Sequence, residues 1–166
     1  MALPHPSSRR LWRWLPVIIW LVVIYLFSAQ TGEQSGALSG GITETLVEHL
    51  VPHYTELPPA EQATVLSNWH FYVRKAAHFS EYAVLGVLLS AALAAYPLRT
   101  PLRLLLSAGG GLLWAAGDEL HQLFVAARGP SVRDVLIDFG GALFGSLIAV
   151  AVTAWWRRKR NKPARS

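Results

Sequence analysis

In the stretch RKAAHFSEYAVLGVLL, from Arg74 to Leu89, ionisable residues run directly into an apolar segment suited to lipid. A charge at the centre of a bilayer costs at least ~2.5 to 3.5 kcal/mol on insertion scales, so a chain that places several there must bring them partners. Arg74, His78 and Glu81 recur at helical spacing, as do Lys75, His78 and Tyr82, which sets a polar band along one side of a helix. Three other groups need the same explanation: Asp118, Glu119, His121 and Gln122 in a second apolar segment, Arg128, Arg133 and Asp134 in a short connection, and Asp138 at the start of a third segment. With 52% hydrophobic and 15% charged residues over 166 positions, the chain is too apolar for an ordinary soluble domain of this length. It contains no cysteine, which excludes disulfides and thiolate chemistry.

The expected fold is all-α: a polytopic integral membrane protein with four transmembrane helices. The first is WLPVIIWLVVIYLFSA, residues 14–29, close to the ~20 residues that span a bilayer. A cleavable leader is the rival reading, but cleavage after Ala29 or Ser28 would put Phe27 or Leu26 where a small residue is preferred, so the segment is expected to be retained. The others run over residues 68–96, 102–125 and 135–156, and the pattern divides the chain into a polar N-terminal segment (1–13), a membrane domain (14–156) and a basic tail (157–166). Within the outer connection, residues 30–73, Leu38, Ile42, Leu46 and Leu50 recur every fourth residue, as in an amphipathic helix at the interface that caps the polar site or packs on the domain. Pro58 and Pro59 suit the start of a further helix. Gly109, Gly110 and Gly111 permit a close neighbour or a bend, and Gly141 and Gly145 have the spacing of a helix-packing face.

Charge sets the expected orientation. Eleven basic residues fall on the side of the termini (Arg9, Arg10, Arg13, Arg99, Arg103 and six from Arg157 onward), against four on the other, Arg74, Lys75, Arg128 and Arg133. The positive-inside rule then makes both termini cytoplasmic and the protein a multi-pass component of a plasma membrane. The same rule, with attraction to anionic lipid, accounts for the net charge of +5, so no nucleic-acid partner is expected. In this orientation His78, Glu81, Asp118, Glu119 and Asp138 come to similar depths near the outer boundary, with Asp134, Arg128 and Arg133 at the rim. His78, Glu119 and Arg128 are expected to act as one unit. Mutual neutralisation in a hydrogen-bonded network is the alternative to a ligand site.

Three stretches, FSAQTGEQSG, KAAHFSEYAVLG and DELHQLFVAARGPSVRDVLIDFGGALFG, in this order, resemble the VanZ-like family, membrane proteins named for a member linked to teicoplanin resistance. The resemblance runs from about Leu11 to Trp156 and implies a bacterial envelope protein. It places the family pattern on Lys75, His78, Glu81, Tyr82, Glu119, Gln122, Arg128, Asp134, Asp138, Gly141 and Gly145. Two departures stand out: Asp138 occupies a position commonly Asn, and Ala126 and Ala127 precede the arginine where Pro or Gly is usual.

The function expected from these residues is binding of a polar ligand at the outer leaflet: a lipid headgroup, a cell-wall precursor or a glycopeptide. Arg128 and Arg133 would hold phosphate or carboxylate, and Glu81, Glu119 and Asp138 would anchor the arginines. An intramembrane hydrolase acting on a lipid-linked phosphate is a second reading, because His78 with Glu81 and Asp118 with His121 offer ligand atoms at i, i+3 spacing. A small proton-coupled transporter is a third. No cofactor or resident metal is expected, membrane lipids are the expected partners, and oligomerisation stays open.

Overall fold

The computed structural model describes residues 10–126, 129 and 131–160. Among these every regular element is helical, as expected: α1 (Leu15–Ser28), α2 (Gly32–Leu50), α3 (Pro59–Leu93), α4 (Thr100–Gln122) and α5 (Val132–Arg160), with 3-10 turns at Trp12–Trp14 and Tyr54–Glu56.

Helix α3 is the element on which α1, α2, α4 and α5 all pack. Its 35 residues make a rod about 52 Å long, against a hydrocarbon layer of about 30 Å. Pro59 opens it, its fixed φ suiting the first turn, so the expected start of a helix there and the apolar pattern from Asn68 belong to one element. The hydrophilic connection is accordingly mostly helix.

Backbone meets backbone between α3 and α5. A Cβ added at Gly141 would overlap the carbonyl oxygen of Phe79, one at Gly145 that of Ala83, and one at Gly86 that of Ala142. The expected packing face on Gly141 and Gly145 is thus present, and Gly86 answers it from α3. Ser146 Oγ donates to the Gly86 carbonyl at 3.3 Å inside the same contact. Helix α4 joins through Gly111, which lies against the Ala142 side chain, while Gly109 has open space around it and α4 runs unbroken through the glycine run. Tyr82, Leu85, Ala92, Ala115 and Ala142 fill the core together with Val17 and Ile24 of α1.

Val17, Ile24 and Ser28 form the buried stripe of α1, and Ile18, Ile19, Val22 and Leu26 face outward, as a lipid-facing helix requires. Two indoles tie α1 to the region of α3: Trp20 Nε1 donates to the Glu81 carbonyl at 2.9 Å, and Trp14 Nε1 to the Tyr96 hydroxyl at 3.1 Å. The chain then turns through 102° into α2. Thr31 and Gln34 make the turn with a capping box: Thr31 Oγ1 accepts from the Gln34 amide at 3.3 Å, and Gln34 Oε1 from the Thr31 amide at 3.1 Å. The amide of Gly32 donates to the Ala126 carbonyl at 3.2 Å, so this corner is pinned to the connection after α4.

Helix α2 turns Thr43 and Val47 toward the body of the protein, leaving Leu38, Ile42 and Leu50 more than half exposed and Leu46 half-buried. The expected apolar stripe is therefore only partly covered, and the side of α2 that meets α3 carries Ser39, whose Oγ lies 2.7 Å from His70 Nε2.

By length and apolarity α3 and α5 are able to cross a membrane, and α1 with α2 makes a third crossing if the bent pair is one span. Helix α4 is not among them. Its apolar run is interrupted by Arg103, the three glycines and Asp118 with Glu119, and it buries most of these against its neighbours.

Replacing Gly145 by Leu drives a side chain into the Ala83 carbonyl and is expected to destabilise the protein by about 1 to 3 kcal/mol or more. Thermal unfolding of the purified protein checks this against Gly109→Leu, where the space is open and the melting temperature stays near wild type.

Candidate functional site

Because α3 and α5 approach so closely, side chains just beyond the glycine contact toward the start of α5 meet across a narrow gap. Lys75 Nζ lies 2.5 Å from Asp134 Oδ1, with both side chains largely shielded. One turn deeper, His78 Nδ1 lies 3.7 Å from Asp138 Oδ1. The i, i+3 spacing of Lys75 and His78 thus meets the i, i+4 spacing of Asp134 and Asp138. Asp138 is 1% exposed, and neither of its carboxylate oxygens has a hydrogen-bond partner among the described residues; the same holds for the buried Tyr82 hydroxyl. Groups so placed are costly unless something else satisfies them.

Helix α4 brings two carboxylates to this layer. Glu119 Oε2 accepts a 2.7 Å hydrogen bond from the Ser131 amide, immediately before α5 begins, where a negative charge also favours the positive helix end. Gln122 Nε2 contacts Ser28 Oγ at 3.4 Å and Asp118 Oδ2 at 3.5 Å, linking α4 to the end of α1. Asp118, Glu119, Asp134 and Glu81 all act electrostatically on Asp138. Half of the chain's ten acidic residues are therefore gathered in one layer, with Lys75, Arg74 and His78 as the nearby basic groups described.

Beside the layer, under the α1–α2 corner, is a cavity of about 220 Å³. One wall is polar, from Arg74, His78, Glu81 and Asp118 with Ser28 and Gln30; the other is apolar, from Phe27, Leu38 and Ile42. Helix α2 roofs it through Ser35 and Ser39. Arg74 makes no ion pair among the described residues, and its Nε is buried without a partner.

The sequence-derived site residues are thus distributed as follows. Lys75, His78, Asp134 and Asp138 pair across α3 and α5, with Tyr82 in the core below; Glu81 and Asp118 face the cavity; Gln122 reaches Ser28; and Glu119 holds the start of α5. Arg128 lies outside the described residues, so the expected unit of His78, Glu119 and Arg128 is seen only in two members, on separate partners. Arg133 is exposed and its guanidinium stacks 5.1 Å from the Phe71 ring centre. Sequence reasoning placed Arg74 in the polar band without making it a site residue, and missed Ser28, Gln30, Ser35 and Ser39. Their signal was the FSAQTGEQSG stretch itself, in which a capping box would have announced a sharp turn. The two candidate metal pairs part company: His78 and Glu81 line the cavity, whereas His121 packs on Tyr25, ring centres 5.0 Å apart. Among the described residues no three His, Asp or Glu side chains come together as a ligand set.

Fold and site together define an all-helical membrane protein with an ionic layer buried at one end of its bundle. The VanZ/LLP1 family profile matches residues 13–154, and the chain belongs to that family. Neither a curated protein nor a solved structure matches it.

If Lys75 and Asp134 neutralise each other, Lys75→Gln and Asp134→Asn are each expected to lower thermal stability. The double variant then loses less than the sum, by a coupling of about 0.5 to 3 kcal/mol. Simple additivity in denaturation of the purified proteins would mean that the pair contributes nothing as a pair.

Proposed function

We propose that this is a multi-pass protein of the bacterial plasma membrane, with α1, α3, α4 and α5 as its four crossings and both termini cytoplasmic, and that its outer-leaflet cavity binds the head of an amphiphile. The ligand class is a lipid headgroup, a cell-wall precursor or a glycopeptide of the teicoplanin kind. The observation that carries this reading is the two-sided cavity, with ionisable side chains from α3 and α4 facing apolar ones from α1 and α2. A headgroup meets Arg74, His78, Glu81 and Asp118, while its chain lies along Phe27, Leu38 and Ile42 at an edge where Leu38 and Ile42 are exposed. With Arg74 and carboxylates on the same wall, the site suits a head that joins an oxyanion to an amine: guanidinium takes phosphate or carboxylate in a bidentate pair, and carboxylates accept from ammonium. Arg128 and Arg133 are further candidates for holding an oxyanion. In this reading the Glu119 bond to Ser131 and the Lys75–Asp134 pair hold the frame, and His78 with Asp138 forms the floor.

Binding is tested by titrating the purified full chain separately with fluorescent phosphatidylethanolamine, a lipid-linked cell-wall precursor and teicoplanin. At least one is expected to bind saturably, and Arg74→Gln to weaken it about tenfold, as loss of a charge-assisted pair does. Binding that is unaffected by Arg74→Gln, or absent for all three, overturns the assignment.

Orientation is tested with single cysteines at two exposed positions, Thr45 on α2 and Thr100 at the start of α4. On intact cells a membrane-impermeant maleimide is expected to label Thr45→Cys and spare Thr100→Cys. The reverse pattern would move the cavity to the cytoplasmic leaflet.

A further inference from the structure

At the opposite end of the bundle from the acidic layer, the first turn of α4 buries Arg103 to 5% exposure. Its guanidinium makes no hydrogen bond or ion pair among the described residues, and Nε is sealed from solvent with no partner. The charged neighbour acting on it is Arg157 of α5, another cation. All ten Asp and Glu side chains lie among the described residues, and none pairs with Arg103. Guanidinium is protonated at any working pH, so this charge is not removed by titration. A buried cation with a second cation beside it and no acidic side chain to meet it calls for an anion from elsewhere. The position adds to that demand: α4 begins here, with its positive helix end and an N-cap, Arg99, that makes no side-chain cap bond.

We propose that Arg103, with Arg157 and the start of α4, forms a phosphate-binding site at the end of the bundle that carries the termini, and that its occupant is the headgroup phosphate of a membrane phospholipid. The depth is that of headgroups. Trp12, Trp155 and Trp156 are exposed near the ends of their helices on this side, as aromatic residues are at a membrane–water interface, and α3 and α5 supply the apolar length behind them. This differs from diffuse attraction of the basic run Arg157–Arg160 to anionic lipid, because Arg103 is buried and its fork of donors requires a partner of fixed geometry. The site does not depend on the outer cavity or on which leaflet that cavity faces.

The test uses the full chain, purified in a neutral detergent and stripped of lipid. Melting temperature and bound lipid, the latter by native mass spectrometry, are followed on adding phosphatidylglycerol or inorganic phosphate. Wild type is expected to melt higher with phosphatidylglycerol, and Arg103→Gln to lose that gain together with about tenfold or more in apparent affinity. Arg103→Met is expected to melt at or above wild type without lipid and below it with lipid, a reversal that a merely structural arginine does not give. Should both Arg103 variants fail to fold, the exposed Arg157→Gln serves in their place and is expected to weaken lipid binding. Protection by inorganic phosphate equal to that by phosphatidylglycerol assigns the phosphate site to a soluble anion and overturns the lipid as occupant. Equal lipid protection of wild type and Arg103→Gln, or of wild type and Arg157→Gln where that stands in, overturns the site, as does no protection of wild type by either ligand.

Discussion

The close approach of α3 and α5 is the contact on which the rest of the bundle depends. With a glycine on one helix facing a backbone carbonyl on the other at three successive levels, the two axes sit nearer than ordinary side chains permit. Little hydrophobic drive exists between helices in lipid, so tight van der Waals packing has to hold them, and small residues are how it is achieved. Ala142, between Gly141 and the Ser146 bond, then offers a surface small enough for α4 to approach through Gly111. The remaining helices are arranged around this pair.

That proximity explains why the ionic layer exists where it does. Lys75 and His78 cannot turn from α3 into a wide aqueous gap, since α5 is already there, and Asp134 and Asp138 meet them at contact distances. Among the described residues the acidic side chains of this layer outnumber the basic ones, with Lys75 paired to Asp134. At the other end of the bundle the imbalance has the opposite sign, with Arg103 buried beside Arg157. The chain is thus polarised along its long axis, acid inside one end and base inside the other.

Much of this was legible before the structure. The i, i+3 and i, i+4 recurrence of Arg74, Lys75, His78 and Glu81 located both the helix and its polar side, and Gly141 with Gly145 located the packing face, because helical periodicity converts directly into which residues share a side. The helix at 32–50 was legible too, as an amphipathic helix at the interface that caps the polar site or packs on the domain, but not the side it docks with: Thr43 and Val47 are buried and Ser39 meets His70, while Leu38, Ile42 and Leu50 are more than half exposed. Four equal crossings overstate what apolarity alone supports, since α4 carries its charges and glycines inward, where hydropathy does not record their shelter. The small polar lining from Ser28 to Ser39 was invisible because it arises from a 102° corner, a tertiary event announced only by one capping box.

Helix α3 also acts as a ruler. His70, under the roof, and His78, in the floor, are eight residues apart on one unbroken rod, a fixed height of about 12 Å. Ser39 is held to one and Asp138 approaches the other, so roof and floor keep their separation without needing to touch each other. For a ligand of the kind proposed, the rise of a single helix would then set the length admitted, and the α1–α2 corner, pinned at Gly32 to the connection after α4, the width.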